Sequence, residues 1–229
     1  MRLAFRVGLV ALASALAFAI PNVVAWTRGS NPPSPAILEP LRVDFGVETP
    51  SADARRMAEW IAARRDNRNT PFAIIDKKNA RLYVFDREAR LLGSSPVLLG
   101  SAFGDTSAPG VGLRETEDVP AEERTTPAGR FVATRGRNLR GEQVLWINYE
   151  ERLSMHPVLT ANRHERRIER LETPTVADNR ISNGCVNVPA DFYNVLVQPT
   201  FYAAGGVIYI LPESQTLEQV FRLPPVTLA

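Results

Sequence analysis

The stretch "RISNGCVNVP", Arg180 to Pro189, holds the only cysteine of a 229-residue chain. One thiol forms no internal disulfide. It is therefore a buried small hydrophobe, a link to another chain, or a nucleophile. A nucleophile acts as the thiolate, and a free cysteine at neutral pH is mostly protonated. A histidine within hydrogen-bond reach takes that proton, and a third group orients the imidazole. The chain has two histidines. His156 lies in "SMHPV" at the end of a predicted strand, and His164 lies in the charged run "NRHERRIER", a solvated helix face. Gly184, just before the thiol, lets backbone approach a substrate and leaves main-chain N–H groups for a developing oxyanion. One Cys and two His lack the close-paired spacing of zinc ligands, so no metal is expected.

Outward from this motif the pattern is mainly β. "PFAIIDKKNARLYVFDREARLLGSSPVLLG" carries two β-rich runs, Phe72–Ile75 and Arg81–Phe85, joined by "DKKNA" as a hairpin, then a third strand over Leu91–Leu99. A long polar loop, "GDTSAPGVGLRETEDVPAEERTTPAG", precedes further strands in "GRFVATRG" and "QVLWINYE". "ANRHERRIERLE" reads as helical, "ADFYNVLVQPTF" as a short helix and "GGVIYILP" as a last strand. The tail after Pro212 reads as a surface segment. Upstream, Ser51 caps a helix from about Ala52 to Arg65 whose apolar stripe is Ala54, Met57, Trp60 and Ile61. Many short strands with few helices imply a sandwich or barrel.

The N-terminus "MRLAFRVGLVALASALAFAIPNVVAWTRG" has Arg2 and Arg6, an apolar stretch from Val7 to Ile20, and small residues spaced for cleavage. That is the form of a secretory signal peptide, with an uncleaved anchor as the alternative. The expected organisation is signal 1–25, a Pro/Ser/Gly-rich linker 26–50, a helical lead-in 51–70, a catalytic domain 71–212 and a tail 213–229. Net charge is +2, too small to suggest a nucleic-acid partner. Basic residues are almost all Arg. Lys77 and Lys78, the only lysines, are read as solvated surface.

"SNGCVNV" resembles the active-site motif of the L,D-transpeptidase family, usually Ser/Thr-His-Gly-Cys, an apolar residue, then Asn or Arg. "AIIDKKNARLYVFDREARLLGSSPVLLG" is similar to that family's opening strands, "TTPAGRF" to its Thr-Pro-x-Gly turn, and "SMHPV" stands where it places a histidine. The likeness covers about Pro71 to Leu211. It implies an L,D-transpeptidase-type β-sandwich or barrel and cysteine acyl transfer on peptidoglycan stem peptides in the periplasm, with no cofactor. The donor is a tetrapeptide that loses its terminal D-residue, and the acceptor is an amine. Alternatives are a carboxypeptidase or amidase of the same fold, or a non-catalytic wall-binding module. Carried over by position, Cys185 is the nucleophile, His156 the base, the Pro157 carbonyl the ring holder, and the Gly184 and Cys185 N–H groups the oxyanion hole. Arg180, Ser182, Asn183 and Asn187 are expected to support substrate binding. Of the Arg-rich run 124–140, one or more of Arg130, Arg135, Arg137 and Arg140 are expected to meet substrate carboxylates at the approach to Cys185. Asn183 departs from the family, which has a second histidine there. Pro157 departs mildly. The 29-residue separation of His156 and Cys185 is longer than usual, and the segment 161–180 is expected to form a lid.

Overall fold

The computed structural model describes residues 41–223; the expected signal and most of the linker lie outside the described residues. The first two strands, β1 (Phe72–Asp76) and β2 (Arg81–Phe85), form the predicted hairpin. Every residue of β1 is buried, which is why it reads as an unbroken apolar run rather than an alternating one. Ala73 and Ile75 enter one core, with Leu82, Val84 and Ile208. Phe72 and Ile74 enter another, with Tyr83, Phe85 and Tyr209.

Helix α1 (Ala52–Arg64) covers the second core. Ser51 accepts a hydrogen bond from the Ala54 N–H, and Arg65 ends the helix in a left-handed conformation. Its stripe of Ala54, Met57, Ala58 and Ile61 is buried, while Trp60 packs at the margin.

The remaining strands are β3 (Leu91–Pro96), β4 (Leu99–Gly100), β5 (Gly129–Arg137), β6 (Gln143–Asn148), β7 (Leu153–Pro157), β8 (Arg180–Ser182), β9 (Val186–Val188) and β10 (Gly206–Ile210). Eight of them form a sheet in the order β3-β2-β1-β10-β5-β6-β7-β9, and β4 pairs with β8. The expected third strand, Leu91–Leu99, is divided because the chain changes partners. After Pro96, Leu98 bridges to Asn187 of β9, exchanging both main-chain hydrogen bonds at 2.9 Å. The segment leaving one edge of the sheet thus meets the strand at the other edge, and the sheet curls into a nearly closed barrel. Closure removes exposed strand edges. A helical stretch, residues 190–204, plugs the interior with Tyr193, Val197 and Phe201.

The segment after Pro212 is not a loose surface tail. The helix Leu217–Phe221 buries Leu217 in the core under α1, Leu223 joins it, and Arg56 of α1 pairs with Glu218 at 2.5 Å. Among the described residues no helix is long and apolar enough to cross a membrane.

Candidate active site

Parallel pairing of β7 with β9 sets His156 beside Asn187, and Met155 beside Val186. Met155 and Val186 point into the barrel core. His156 and Asn187 therefore share the opposite face. Cys185 immediately precedes β9 and is partly exposed. Its Sγ lies 3.5 Å from Ser154 Oγ and 3.5 Å from the Arg152 carbonyl oxygen.

The imidazole is held at both nitrogens. Nδ1 is 2.8 Å from the Pro157 carbonyl oxygen. A carbonyl only accepts, so Nδ1 carries a proton. Nε2 is 3.3 Å from the Asn187 amide nitrogen. Burial pushes the His156 pKa down, but the hydrogen bond and charge of Cys185 outweigh it and raise the pKa above the ordinary histidine value. Burial pushes the Cys185 pKa up, but the hydrogen bond and charge of His156 outweigh it and lower the pKa below the ordinary thiol value. The two groups ease proton transfer between them.

The turn before the thiol is tightly built. Ser182 Oγ donates to the Cys185 carbonyl at 2.6 Å and accepts from the Gly184 N–H at 3.1 Å. The Gly184 N–H is therefore engaged within the turn. Gly184 has φ +116°, and a Cβ there would lie 2.9 Å from the Thr125 carbonyl oxygen. Only glycine fits both the conformation and the approach. The same segment is tied in by Thr126, whose Oγ1 donates to the Gly184 carbonyl at 2.7 Å and accepts from the Gly100 N–H at 2.8 Å. This is the role of the "TTPAG" turn.

Below it lies a buried ionic network. Lys77 Nζ donates to the carbonyls of Gly104 (2.5 Å) and Thr126 (2.8 Å) and to Asp105 Oδ1 (2.8 Å), with Glu213 at 3.5 Å. The Asp105 carboxylate also accepts from the main-chain N–H groups of Glu213, Ser214 and Gln215 and from Ser214 Oγ. Although burial pushes the Asp105 pKa up, these donors, Lys77 first, hold it well below the usual carboxylate range. Arg180 pairs with Glu213 and donates to the Lys77 carbonyl at 3.0 Å. The solvated reading of Lys77 is thus wrong, since its side chain is 0% exposed. A compact ammonium satisfies several converging oxygens where a planar guanidinium would not fit. Lys78, by contrast, is exposed and pairs with Asp53 at 3.0 Å.

The structure gathers Ser154, His156, Pro157, Ser182, Gly184, Cys185 and Asn187 at one point. Asn183 is exposed and lines a small cleft at the thiol with Ser107, Thr125, Pro127, Glu151 and Arg152. A second cleft opens on the imidazole, lined by Glu142, Leu159, Tyr193 and Gln198. Arg180 is turned into the ionic network and lies over the Phe103 ring, 4.6 Å from its centroid. Arg130 is on the α1 side of the sheet, paired with Asp66 at 2.6 Å and over Tyr209. Arg135 and Arg140 are exposed, and Arg137 closes its own hairpin turn on the Gly141 carbonyl. None of these four arginines lines either cleft. The arginine at the thiol is Arg152, which lies outside the Arg-rich run 124–140.

His164 is exposed, as expected. The segment 161–180 is packed down through Leu171, which joins Leu98 and Val158. Its Arg167 reaches Asn187, with Nη1 2.5 Å from Oδ1. Among the described residues no three His, Cys, Asp or Glu side chains converge as metal ligands.

No family model matches the sequence, and no curated protein matches it. Among solved structures, the chain is similar to the LD transpeptidase LdtMt1 in complex with imipenem, at 14% identity over 62% of this chain and 59% of that one, with a TM-score of 0.36. It is also similar to the helical cell shape determining protein Pgp2 from Campylobacter jejuni, at 13% identity over 64% of this chain and 49% of that one, with a TM-score of 0.43. An L,D-transpeptidase from Xylanimonas cellulosilytica matches at 14% identity over 69% of each chain, with a TM-score of 0.41. The chain thus spans about half to three-fifths of the length of the first two structures.

Proposed function

We propose that the protein is an exported cysteine acyltransferase that joins peptidoglycan stem peptides in the manner of an L,D-transpeptidase. The observation that carries this reading is the Cys185–His156 pair, with Nδ1 anchored on the Pro157 carbonyl and Nε2 left on the thiol side. As Sγ attacks the scissile carbonyl, its proton passes to Nε2 and a C–S bond forms. Nε2–H then protonates the leaving amine of the terminal D-residue as the C–N bond breaks, giving a thioester. An acceptor amine attacks the thioester, loses a proton to Nε2 and releases the thiol. The main-chain N–H of Cys185, in the turn held in place by Ser182 and Thr126, stabilises the oxyanion, since the Gly184 N–H is spent on Ser182. Two clefts, one at the thiol and one at the imidazole, offer separate approaches for donor and acceptor. The N-terminal segment 1–25 serves as the signal for export to the periplasm, and the tether is shorter than 26–50, because Phe45 is buried in the core that also takes Leu217 and Leu223 beyond 71–212.

The test is incubation with purified tetrapeptide muropeptides and mass analysis. The expected product is a dimer formed with loss of one D-residue. Tripeptide alone would make the enzyme a carboxypeptidase. Unchanged muropeptides would refute the reading.

Asn183 cannot accept a proton and is expected to position substrate. Asn183→Ala should therefore slow acylation of Cys185 less than His156→Ala does, and Asn183→His should keep or raise the rate. Complete loss in a folded Asn183→Ala protein, followed by mass spectrometry of the acyl-enzyme, would overturn this division of roles.

A further inference from the structure

We propose that Arg167, from the segment between β7 and β8, is a positioning residue that fixes the protonation state in which His156 waits, by locking the Asn187 amide in one orientation. The inference deepens the acyl-transfer reading and rests on it for its function, but its geometry stands alone.

Arg167 is half-buried, with its side chain 10% exposed. Its Nε donates to Glu165 Oε2 at 2.5 Å, which aims the guanidinium, and its Nη1 sits 2.5 Å from one end of the buried Asn187 amide. A guanidinium has only donors, so the amide atom it touches is the oxygen. The other end of the amide, 3.3 Å from His156 Nε2, is therefore the NH2 group. A donor facing Nε2 requires a lone pair there. Nδ1 already carries its proton toward Pro157, so the accepted state is the neutral imidazole with a bare Nε2.

An imidazolium would set Nε2–H against the Asn187 NH2. The amide could relieve this by turning over, but it would then present NH2 to the guanidinium. Arg167 blocks that escape. The imidazole is thus kept ready to take the thiol proton, and the imidazolium formed on attack is pressed to hand its proton to the leaving amine.

Other charged groups face the pair. Glu142 borders the imidazole cleft and is bonded by Asn138 at 2.6 Å. Glu151, Glu123 and Arg152 border the thiol cleft. Glu151 accepts from Ser107 at 2.7 Å, and Glu123 pairs with Arg114 at 2.5 Å. The positive charge of Arg167 works in the same direction as the amide lock, lowering the His156 pKa against the pull of Cys185.

The experiment is iodoacetamide labelling of Cys185 across pH in wild type, Arg167→Met, Arg167→Lys and Arg166→Met. In Arg167→Met only the long contact of the Asn187 NH2 with the Cys185 carbonyl, 3.5 Å, still holds the amide, so it can turn its oxygen to Nε2–H, and the thiolate–imidazolium form gains. The labelling inflection should move down by about one pH unit, a tenfold shift in the equilibrium. Arg167→Lys keeps a donor on the amide oxygen and should track wild type. Arg166→Met removes an exposed charge beside it and should also track wild type. A second readout is the 15N spectrum of His156 across pH: its neutral form should be the Nδ1–H tautomer, and its change to imidazolium should come at lower pH in wild type than in Arg167→Met. Superimposed profiles for wild type and Arg167→Met in either measurement, or shifts in the opposite sense, would each overturn the proposal. Neither readout uses a muropeptide, so loss of the acyl-transfer reading and loss of this one are distinguishable.

Discussion

His156→Ala is expected to slow acylation of Cys185 by a carbapenem by about 100-fold at neutral pH, the usual scale for losing general-base assistance. A β-lactam presents a strained amide to the sulfur, so the reaction reports on the thiol and its turn without needing peptidoglycan. The variant loses the hydrogen bond and charge of His156 that do most to hold the Cys185 pKa down, leaving burial, which pushes it up, opposed only by Ser154. Its acylation should therefore recover only as pH rises past the ordinary thiol range near about 8.5, while the wild-type rate is already developed below it. His164→Ala should match wild type, because His164 is exposed on the segment beyond β7. The check is the rate of mass gain at Cys185 as a function of pH. Equal rates for His156→Ala and wild type at neutral pH would mean that His156 is not the base.

Lys77→Met should be the most damaging single change to stability, at about 3–5 kcal/mol, because it strips the cation from a buried ion pair. Glu213 would keep Arg180, whereas Asp105 would keep only its main-chain donors and Ser214. The pH dependence follows from the Asp105 carboxyl, whose folded-state pKa is depressed. Such a group contributes stability above its unfolded pKa of about 3.9, and that contribution is lost as pH falls through it toward the folded value. Wild type should thus weaken on acidification below about pH 4, whereas the variant, relieved by protonation, should lose less. Denaturant unfolding at pH 7 and at pH 3 measures both. A Lys77→Met protein within about 1 kcal/mol of wild type at pH 7 would show the network to be dispensable.

What the sequence could reveal divides along the range of the interactions. The β1–β2 hairpin, α1 with its Ser51 cap, and the β character of the domain rest on local periodicity and turn chemistry, and they stand in the structure. The cysteine turn was legible because Ser182, Gly184 and Cys185 lie within four residues and explain one another. Lys77 was misread because its partners stand at 104, 105, 126 and 213, and no local pattern marks a lysine for burial. Arg130 was misplaced because alternation along β5 puts it on the α1 face, which depends on which core that face meets. Arg167 carries no mark in the sequence, because it stands in a run of charges that reads as solvent-facing. Only the packing of Leu171 brings that run down onto Asn187.

The sheet order has a consequence for how the protein is made. Within the eight-stranded sheet, β3-β2-β1 and β5-β6-β7-β9 are joined through β10, the last strand among the described residues. The first-formed hairpin must wait for residues 206–210 before its inner edge is covered. Pairings this distant along the chain cost loop-closure entropy before they return contacts, so folding through them is slow. The Glu213–Gln215 segment that clamps Asp105 comes later still. A nascent or truncated chain can therefore form its first hairpin and carry its cysteine, but not the framework that makes the sulfur reactive. On the proposed reading, the reactivity of the sulfur is acquired late in folding, and the thiol remains chemically ordinary until β10 and the segment behind it are in place.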